Sequence, residues 1–252
     1  MSTLETYVYG VLHVDTAKVV ATSGVGPLMG PLRRVTHGSL CALVSDVPAG
    51  ELTATREDLF RHTEILQSLM HGTTILPMRF GTIMPDDETV ASRLLEARED
   101  ELEQLLEELD GRVELTLRAV YHESILGEVV AETPEIAHLN ERVREQSPEA
   151  GYYERIRLGE LVATSLQAKR ERDAGAIIDH LQPHAVDMMI GAPQHERAVL
   201  NAAFLVDERR IERFDAAADA IARSQAERMR FRYTGPVPPF SFVELEGSTA
   251  WG

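Results

Sequence analysis

The order in which strand-like and helix-like segments follow one another constrains the fold of this chain most. Alternating β-branched and aromatic residues indicate strands, and apolar residues three or four positions apart indicate helices. The first series is strand 6–14, a hairpin around His37-Gly38, helix 55–70, strand 73–84, helix 86–109 and strand 113–121. The second series is helices 151–172 and 174–181, the strands "AVDMMI" and "AVLNAAFLVD", helix 208–223 and the strand "MRFRY". The second series repeats the order of the first.

Strands and helices in this order are typical of a two-layer α+β domain, in which helices cover one face of an antiparallel sheet. We therefore predict two tandem domains, each ferredoxin-like in a modified form. Residues 1–125 form the first domain, and residues 151–252 form the second, which ends in a strap of proline and aromatic residues. Residues 126–150 are polar and rich in glutamate, and they predict a connector with a short helix at 136–145.

Helix 55–70 carries the clearest local signals. Thr55 and Asp58 have the spacing of a capping box, which predicts that the helix begins there. Leu59 and His62 lie on its apolar stripe, and we interpret His62 as a half-buried, hydrogen-bonded side chain rather than a metal ligand. In strand 73–84, Pro77 indicates a sheet edge or a bulge because proline cannot donate to a central ladder.

The charge of the chain disfavours whole classes of partner. It has 41 acidic and 25 basic residues, a net charge of -16, which repels nucleic acid and anionic membranes. The first residues lack the basic and apolar regions of a signal peptide, and no run approaches the ~18 apolar residues of a membrane span. Cys41 is the one cysteine, which excludes an internal disulfide and fits a reducing compartment. We expect a cytoplasmic protein that binds neither nucleic acid nor membrane.

The sequence contains no pattern that indicates an enzyme. His180 and His184 are four residues apart, but Pro183 between them should end a helix, so they need not share a face. The stretch "GVGPLMG" at 24–30 departs from a dinucleotide fingerprint in its spacing, and a hairpin follows where that motif requires a helix. We therefore predict no catalytic residue, no metal site and no cofactor.

Two charged segments leave alternatives open. Helix 86–110 carries eleven acidic residues opposite its leucine stripe, which is either a solvated face or a docking surface for a basic partner. The strand "RMRFRY" at 228–233 places arginines on one side and apolar residues on the other. Because ferredoxin-like sheets also serve as RNA-recognition domains, a module that binds RNA or a small molecule is an alternative. A second alternative is an enzyme of the dimeric ferredoxin-like type.

The segment "TGPVPPFSFVEL" at 234–245 must be extended, because its prolines exclude a helix interior and a central strand. One interpretation is an intramolecular strap that packs Phe240 and Phe242 on the second sheet. The other is a partner site that presents both rings outward. The strap is favoured because two large apolar rings in water are a liability.

Five stretches in order along the chain resemble the GvpL/GvpF family of gas vesicle proteins. They are "YVYGV" at 7–11, "LPMRFGT" at 76–82, "YYERIRLGELVA" at 152–163, "LNAAFLVD" at 200–207 and "TGPVPPFSFVEL" at 234–245. The chain departs from the family at Val237 and Phe240, where Trp and Tyr are usual.

The resemblance implies a non-enzymatic accessory protein of gas vesicle formation, with two ferredoxin-like domains, in the cytoplasm and associated with gas vesicles. It implies the hydrophobic shell subunit as partner, other gas vesicle accessory proteins as further partners, and a role in early assembly or as a minor component of the shell. Two stretches supply the candidate partner-binding residues. These are Arg79, Phe80, Pro236, Val237, Pro238, Pro239, Phe240 and Phe242. In "LPMRFGT", a structural role is favoured, with Arg79 satisfying carboxylates between domains and Gly81 forming a bulge.

Overall fold

The computed structural model describes residues 4–16, 23–27, 30–50, 55–70, 72–147 and 151–245. These residues form two compact units. The first unit contains the described residues up to Leu115 and those from Gly235 onward, and the second unit runs from Thr116 to Thr234. The C-terminal segment therefore belongs to the first unit and not to the second. Among the described helices, none has the length and apolar composition that crossing a membrane requires.

The sheet of the first unit is antiparallel and has five strands. They are β1 (Leu4–His13), β2 (Arg33–His37), β3 (Leu40–Pro48), β4 (Leu76–Pro77) and β5 (Ile83–Met84). The strand order is β2-β3-β1-β4, and β5 also pairs with β1. The predicted hairpin at Gly38 joins β2 and β3, and this glycine has a φ of 55°, which favours a residue without a side chain.

The predicted strand 73–84 is wrong as one element. The chain forms β4, makes a turn in which the Thr82 amide donates to the Arg79 carbonyl at 3.1 Å, and continues along β1 in the same direction as β5. Gly81 has a φ of 88° and lies in this turn, whose residues 78–82 stand opposite only Val8 and Tyr9 of β1, so the turn is a bulge in the strand, as predicted. A second irregularity lies in β1, where its register with β3 shifts between Val8 and Gly10. Pro77 lies on β4 at an edge of the sheet, as its missing amide hydrogen predicts.

Two helical segments accompany this sheet. Helix α1 (Arg56–Leu69) begins with the predicted capping box, in which the Asp58 amide donates to Thr55 Oγ1 at 3.1 Å. The buried side of α1 contributes Ile65, Leu66 and Leu69 to a core shared with the sheet. The predicted helix 86–109 is not uniform. It consists of α2 (Asp87–Thr89), a π-helical turn (Val90–Leu95), a 3₁₀ turn (Glu96–Arg98) and α3 (Glu99–Glu108).

The second sheet has the strand order β7-β8-β6-β9. Its strands are β6 (Arg112–Tyr121), β7 (Asp187–Ile190), β8 (Ala198–Asp207) and β9 (Met229–Val237). The prediction that strand 113–121 completes the first unit is therefore wrong, because β6 lies inside the second sheet. Alternation along a strand shows which faces are buried but does not specify the neighbouring strand.

The helices of the second unit include more of the chain than predicted. They are α4 (Ile125–Glu132), α5 (Pro134–Glu145), α6 (Tyr152–Leu181) and α7 (Ile211–Ser224). The segment predicted as a connector with one short helix contains α4 and α5, and both pack against α6. The two predicted helices at 151–172 and 174–181 are the single helix α6, since Gly175 is tolerated in its interior.

An ion-pair network joins the helices of the second unit to its sheet. Lys169 on α6 is only 5% exposed, and its ammonium lies 2.7 Å from Glu132 and 3.4 Å from Glu128, both on α4. Arg228 also contacts Glu128, at 3.0 Å, and Asp173 at 2.7 Å. Shared carboxylates thus hold α4, α6 and the start of β9 together.

Candidate functional site

Side chains from four separate segments of the first unit form one aromatic cluster. Tyr7 and Tyr9 lie on β1, His62 on α1, Phe80 in the turn between β4 and β5, and Phe240 in the C-terminal segment. Tyr7 and Tyr9 are two residues apart and so lie on the same face of the strand, with ring centroids 4.8 Å apart. We call these five residues the aromatic site.

His62 is the centre of the aromatic site and is 2% exposed. Its ring stacks on Tyr9, with centroids 5.7 Å apart, and meets the Phe80 ring edge to face at 5.7 Å. The Phe240 ring centroid lies 6.3 Å away. Nδ1 is hydrogen-bonded to the Tyr7 hydroxyl at 2.9 Å. Burial lowers the pKa of His62 to about 4, so the imidazole is neutral near pH 7.

The two tyrosine hydroxyls are also satisfied within the first unit. Tyr7 accepts from the Gly81 amide at 3.1 Å, and Tyr9 accepts from the Val25 amide at 2.8 Å and bonds Ser45 at 2.8 Å. Burial raises the pKa of both phenols above their ordinary value. These shifts favour the neutral forms of the imidazole and of both phenols near pH 7.

The C-terminal segment is fastened to the first unit by one carboxylate. Glu114, only 6% exposed, accepts from the Ser241 amide at 2.7 Å and from the Ser241 hydroxyl at 3.0 Å. Pro238 and Pro239 are buried, and Phe240 and Phe242 begin and end a short 3₁₀ turn. These contacts orient the Phe240 ring towards His62.

The prediction that the strap packs its aromatic rings on the second sheet is therefore wrong for Phe240, which packs against the core of the first unit. The chain leaves β9 at Val237, and buried prolines and the Glu114 bonds hold the next residues on the first unit. Phe240 does pack against the chain's own core, as the strap interpretation predicts. A single sequence does not show which core an extended segment covers.

The other predicted site residues occupy different environments. Phe80 and Phe240 meet at His62 and are both half-buried, whereas Pro236 is exposed. Val237 and Phe242 are also half-buried. Arg79 is exposed, and its guanidinium forms no ion pair with any residue that the structure describes. The predicted role of Arg79 in satisfying carboxylates between domains therefore finds no support.

Two exposed apolar residues near the start of α1 lie outside the predicted site residues. Leu59 is 47% exposed and Phe60 is 63% exposed, and both lie on the first turn and a half of α1. Leu59 precedes His62 by three positions and so lies on the same face of the helix, although the stripe pattern predicted it buried. The Arg56 guanidinium lies 5.4 Å from the Phe60 ring. We call Leu59 and Phe60 the apolar rim.

The basic strand contains no comparable site. Arg228 belongs to the ion-pair network, whereas Arg230 and Arg232 are exposed. The Tyr233 ring stacks on Phe214, and its hydroxyl donates to Asp215 at 2.5 Å. Tyr233 of β9 thus contacts α7 through Phe214, while its side chain stays 39% exposed. Within the described ranges, no group of three His, Cys, Asp or Glu side chains is arranged to hold a metal ion.

The chain was compared with known proteins. The family model "Gas vesicle synthesis protein GvpL/GvpF" matches residues 5–244. The chain belongs to the GvpL/GvpF family. Gas vesicle protein F of Streptomyces sp. (strain CB03234) is 36% identical over 244 residues, which is 96% of this chain and 100% of that protein. Gas vesicle protein L of the same strain is 32% identical over 261 residues, covering 95% of this chain and 92% of that protein.

A crystal structure supports the GvpL/GvpF fold. The gas vesicle protein GvpF from Anabaena sp. PCC7120 aligns with a TM-score of 0.82 at 24% identity, over 98% of this chain and 100% of that one. Membership of the family implies a role in gas vesicle formation. Of the five stretches that resemble GvpL/GvpF proteins, three contribute to the aromatic site: Tyr7 and Tyr9 from 7–11, Phe80 from 76–82 and Phe240 from 234–245.

Proposed function

We propose that this chain is a non-enzymatic accessory protein of gas vesicle formation that binds the hydrophobic shell subunit and assists early assembly. One observation carries the proposal: the apolar rim, exposed by 47% and 63%, lies on α1 within three residues of His62, the centre of an aromatic site built from three family stretches. Rigid aromatic side chains around exposed apolar residues are typical of the centre of a protein interface.

The physical need for such a partner follows from the vesicle wall. A subunit that builds a water-excluding wall exposes a large apolar face before assembly, and exposed apolar patches aggregate. The apolar rim covers part of that face, together with the half-buried edges of Phe80 and Phe240. The net charge of -16 keeps the resulting complex dispersed through repulsion between copies.

The remaining predicted residues have secondary parts in this proposal. Pro236, Val237 and Phe242 extend the contact along the C-terminal segment, and exposed Arg79 lies at its border. Pro238 and Pro239 are buried and act by holding the segment in place. Other gas vesicle accessory proteins are further partners, and we place the protein in the cytoplasm and at the gas vesicle.

We also propose that each unit is a modified ferredoxin-like domain. Within each sheet the strands follow the order second, third, first, fourth, as in β2-β3-β1-β4 and β7-β8-β6-β9. The second unit has helices in the β-α-β-β-α-β order that defines this fold. Among the described residues of the first unit, only a 3₁₀ turn (Val14–Thr16) lies between β1 and β2.

Co-expression with the shell subunit tests the proposal. The tagged chain is expected to keep the shell subunit in solution and to co-purify with it at low and high salt, since an apolar contact resists screening. The double variant Leu59→Ser, Phe60→Ser should fold normally, because both side chains are exposed, but should lose the shell subunit. The matched control is Leu126→Ser, a residue 50% exposed on α4.

Precipitation of the shell subunit in the presence of the native chain would overturn the proposed binding. Capture by the rim variant as well as by the native chain would assign the contact to another surface. Capture at low salt only would indicate the acidic segment 86–110 in place of the apolar rim.

A further inference from the structure

The first half of α6 carries large apolar side chains in water. Tyr152 is 59% exposed, Tyr153 is 83% exposed and Ile156 is 45% exposed. The opposite side of the helix is covered by α4 and α5, and the ion pairs Arg142–Glu154 and Arg157–Glu135 join α5 to α6. This half of α6 thus has one partnered side and one side that no described residue covers.

The uncovered side has a regular pattern. Tyr152, Ile156, Gly159 and Ala163 are all exposed and are separated by four, three and four residues. This spacing places them on one stripe, as in the seam of a coiled coil. Apart from its chain neighbours and the adjacent backbone of α6, no atom of the described residues lies within 4 Å of the position that a Cβ would occupy at Gly159. We call these four residues the α6 stripe.

The α6 stripe is complementary to itself when two copies run antiparallel. Its large residues lie at the N-terminal end and its small residues at the C-terminal end. In an antiparallel pair, Tyr152 of one copy faces Ala163 of the other, and Ile156 faces Gly159. The same two-fold axis brings the Tyr153 hydroxyl beside the Glu160 carboxylate. A self-complementary patch of this kind is what a two-fold interface requires.

Charge also permits this pairing. The chain as a whole is strongly acidic, and two copies therefore repel each other at long range. Between residues 152 and 163, however, the charged residues are Glu154, Arg155, Arg157 and Glu160, and their charges cancel. The α6 stripe thus lies in a locally neutral part of an acidic surface.

We propose that the α6 stripe binds a second copy of this chain, in an antiparallel two-fold dimer. This proposal is independent of the shell-binding function. Twelve helical residues span about 18 Å, so the contact is smaller than a standard stable interface. The dimer is therefore expected to dissociate on dilution, with a dissociation constant in the micromolar range.

Sedimentation equilibrium across a concentration series tests the pairing. Gly159→Leu should weaken the dimer at least tenfold, because the new side chain occupies the space of Ile156 of the second copy. Ile156→Ala added to Gly159→Leu should restore it, because the large and small partners are then exchanged across the axis. Gly175→Leu is the control, since it lies on the same helix outside the α6 stripe, has open space around an added Cβ and gains the same helix propensity.

Cysteine cross-linking tests the antiparallel direction. A mixture of the Tyr152→Cys and Ala163→Cys variants should form a mixed disulfide dimer under mild oxidation. Each variant alone should not, because two copies of position 152 lie about 16 Å apart along the paired helices. The chain's own Cys41 is buried and gives little background. A native chain that stays monomeric at every concentration, or cross-links of position 152 to itself, would overturn the proposal.

Discussion

Glu114 and Ser241 are 127 residues apart, and the carboxylate of Glu114 accepts from both the amide and the hydroxyl of Ser241. This pair fastens the C-terminal segment to the first unit and thereby positions Phe240 over His62. Hydrogen bonds to a nearly buried carboxylate are among the stronger ones in proteins.

Ser241→Ala tests this fastening. Removing the hydroxyl leaves Glu114 with one bond fewer in a place that water scarcely reaches. We expect a loss of about 1 to 2 kcal/mol in the free energy of unfolding, measured by urea denaturation. The control is Ser224→Ala, whose exposed hydroxyl donates to the Ile221 carbonyl and should change stability by less than about 0.5 kcal/mol. An unchanged urea midpoint for Ser241→Ala would contradict the fastening role.

Gly235→Ala tests the path of the chain at the end of β9. Gly235 has a φ of 128°, and an added Cβ would lie 2.7 Å from the Glu114 carbonyl oxygen. Backbone strain and this overlap should together cost about 2 kcal/mol or more of unfolding free energy. Gly175→Ala, in the interior of α6 with open space around it, should instead stabilise by about 0.5 to 1 kcal/mol. Equal effects of the two substitutions on the melting temperature would count against the strain.

The buried imidazole of His62 makes stability depend on pH. Its pKa is about 4 in the folded chain, below the ordinary value of 6.5. The unfolded chain therefore binds more protons between these values. The contribution is fully present above pH 6.5 and is lost as the pH falls towards 4, by about 3 kcal/mol in total.

The His62 imidazole can be followed directly by NMR. Its ring proton shifts should stay constant from pH 8 to about pH 5, whereas an exposed histidine titrates near pH 6.5. His62→Gln should flatten the dependence of the unfolding free energy on pH between pH 6.5 and 4.5. Subtracting the profile of the variant from that of the native chain removes the contribution of all other titrating groups. A His62 titration midpoint near 6.5 would show that the imidazole is open to water.

Lys169→Met tests the ion-pair network of the second unit. The ammonium is nearly buried between Glu128 and Glu132, so its removal takes away the cation that contacts Glu132 and leaves Glu128 paired with Arg228. Glu132 is half exposed, which reduces the penalty, and we expect a loss of about 2 kcal/mol in thermal or urea unfolding. Arg223→Met, which removes an exposed pair with Asp219, should be nearly neutral. An equally neutral Lys169→Met would indicate that solvent screens the network.

Local signals predicted the elements whose causes are local. The capping box of Thr55 and Asp58 begins α1 as expected, because both partners lie within one helical turn. The hairpin at Gly38 and the edge position of Pro77 follow from backbone constraints of single residues. His62 was predicted to be half-buried and hydrogen-bonded. Its Nδ1 is bonded to the Tyr7 hydroxyl, but the side chain is only 2% exposed and Nε2 has no hydrogen-bond partner among the described residues.

Part of the aromatic site was also predictable. Phe80 and Phe240 are candidate partner-binding residues because they lie in two stretches that carry the family resemblance. In the structure, both rings contact His62. Leu59 and Phe60 were not found, because a stripe pattern indicates which side of a helix is apolar but not how far its neighbours extend to cover it. The one available signal was Phe60, a large apolar residue that lies outside the apolar stripe of this helix and so was not expected to be buried with it.

The sequence by itself determined the alternation of strands and helices, the family and the start of α1, because backbone propensity and capping act over a few residues. Only the tertiary structure decided that β6 joins the second sheet, that Phe240 packs on the first unit, and that the α6 stripe is left uncovered. Each of these depends on which distant segment covers a given apolar surface. Hydrophobic burial is non-directional, so an apolar segment specifies that it will be covered without specifying by what.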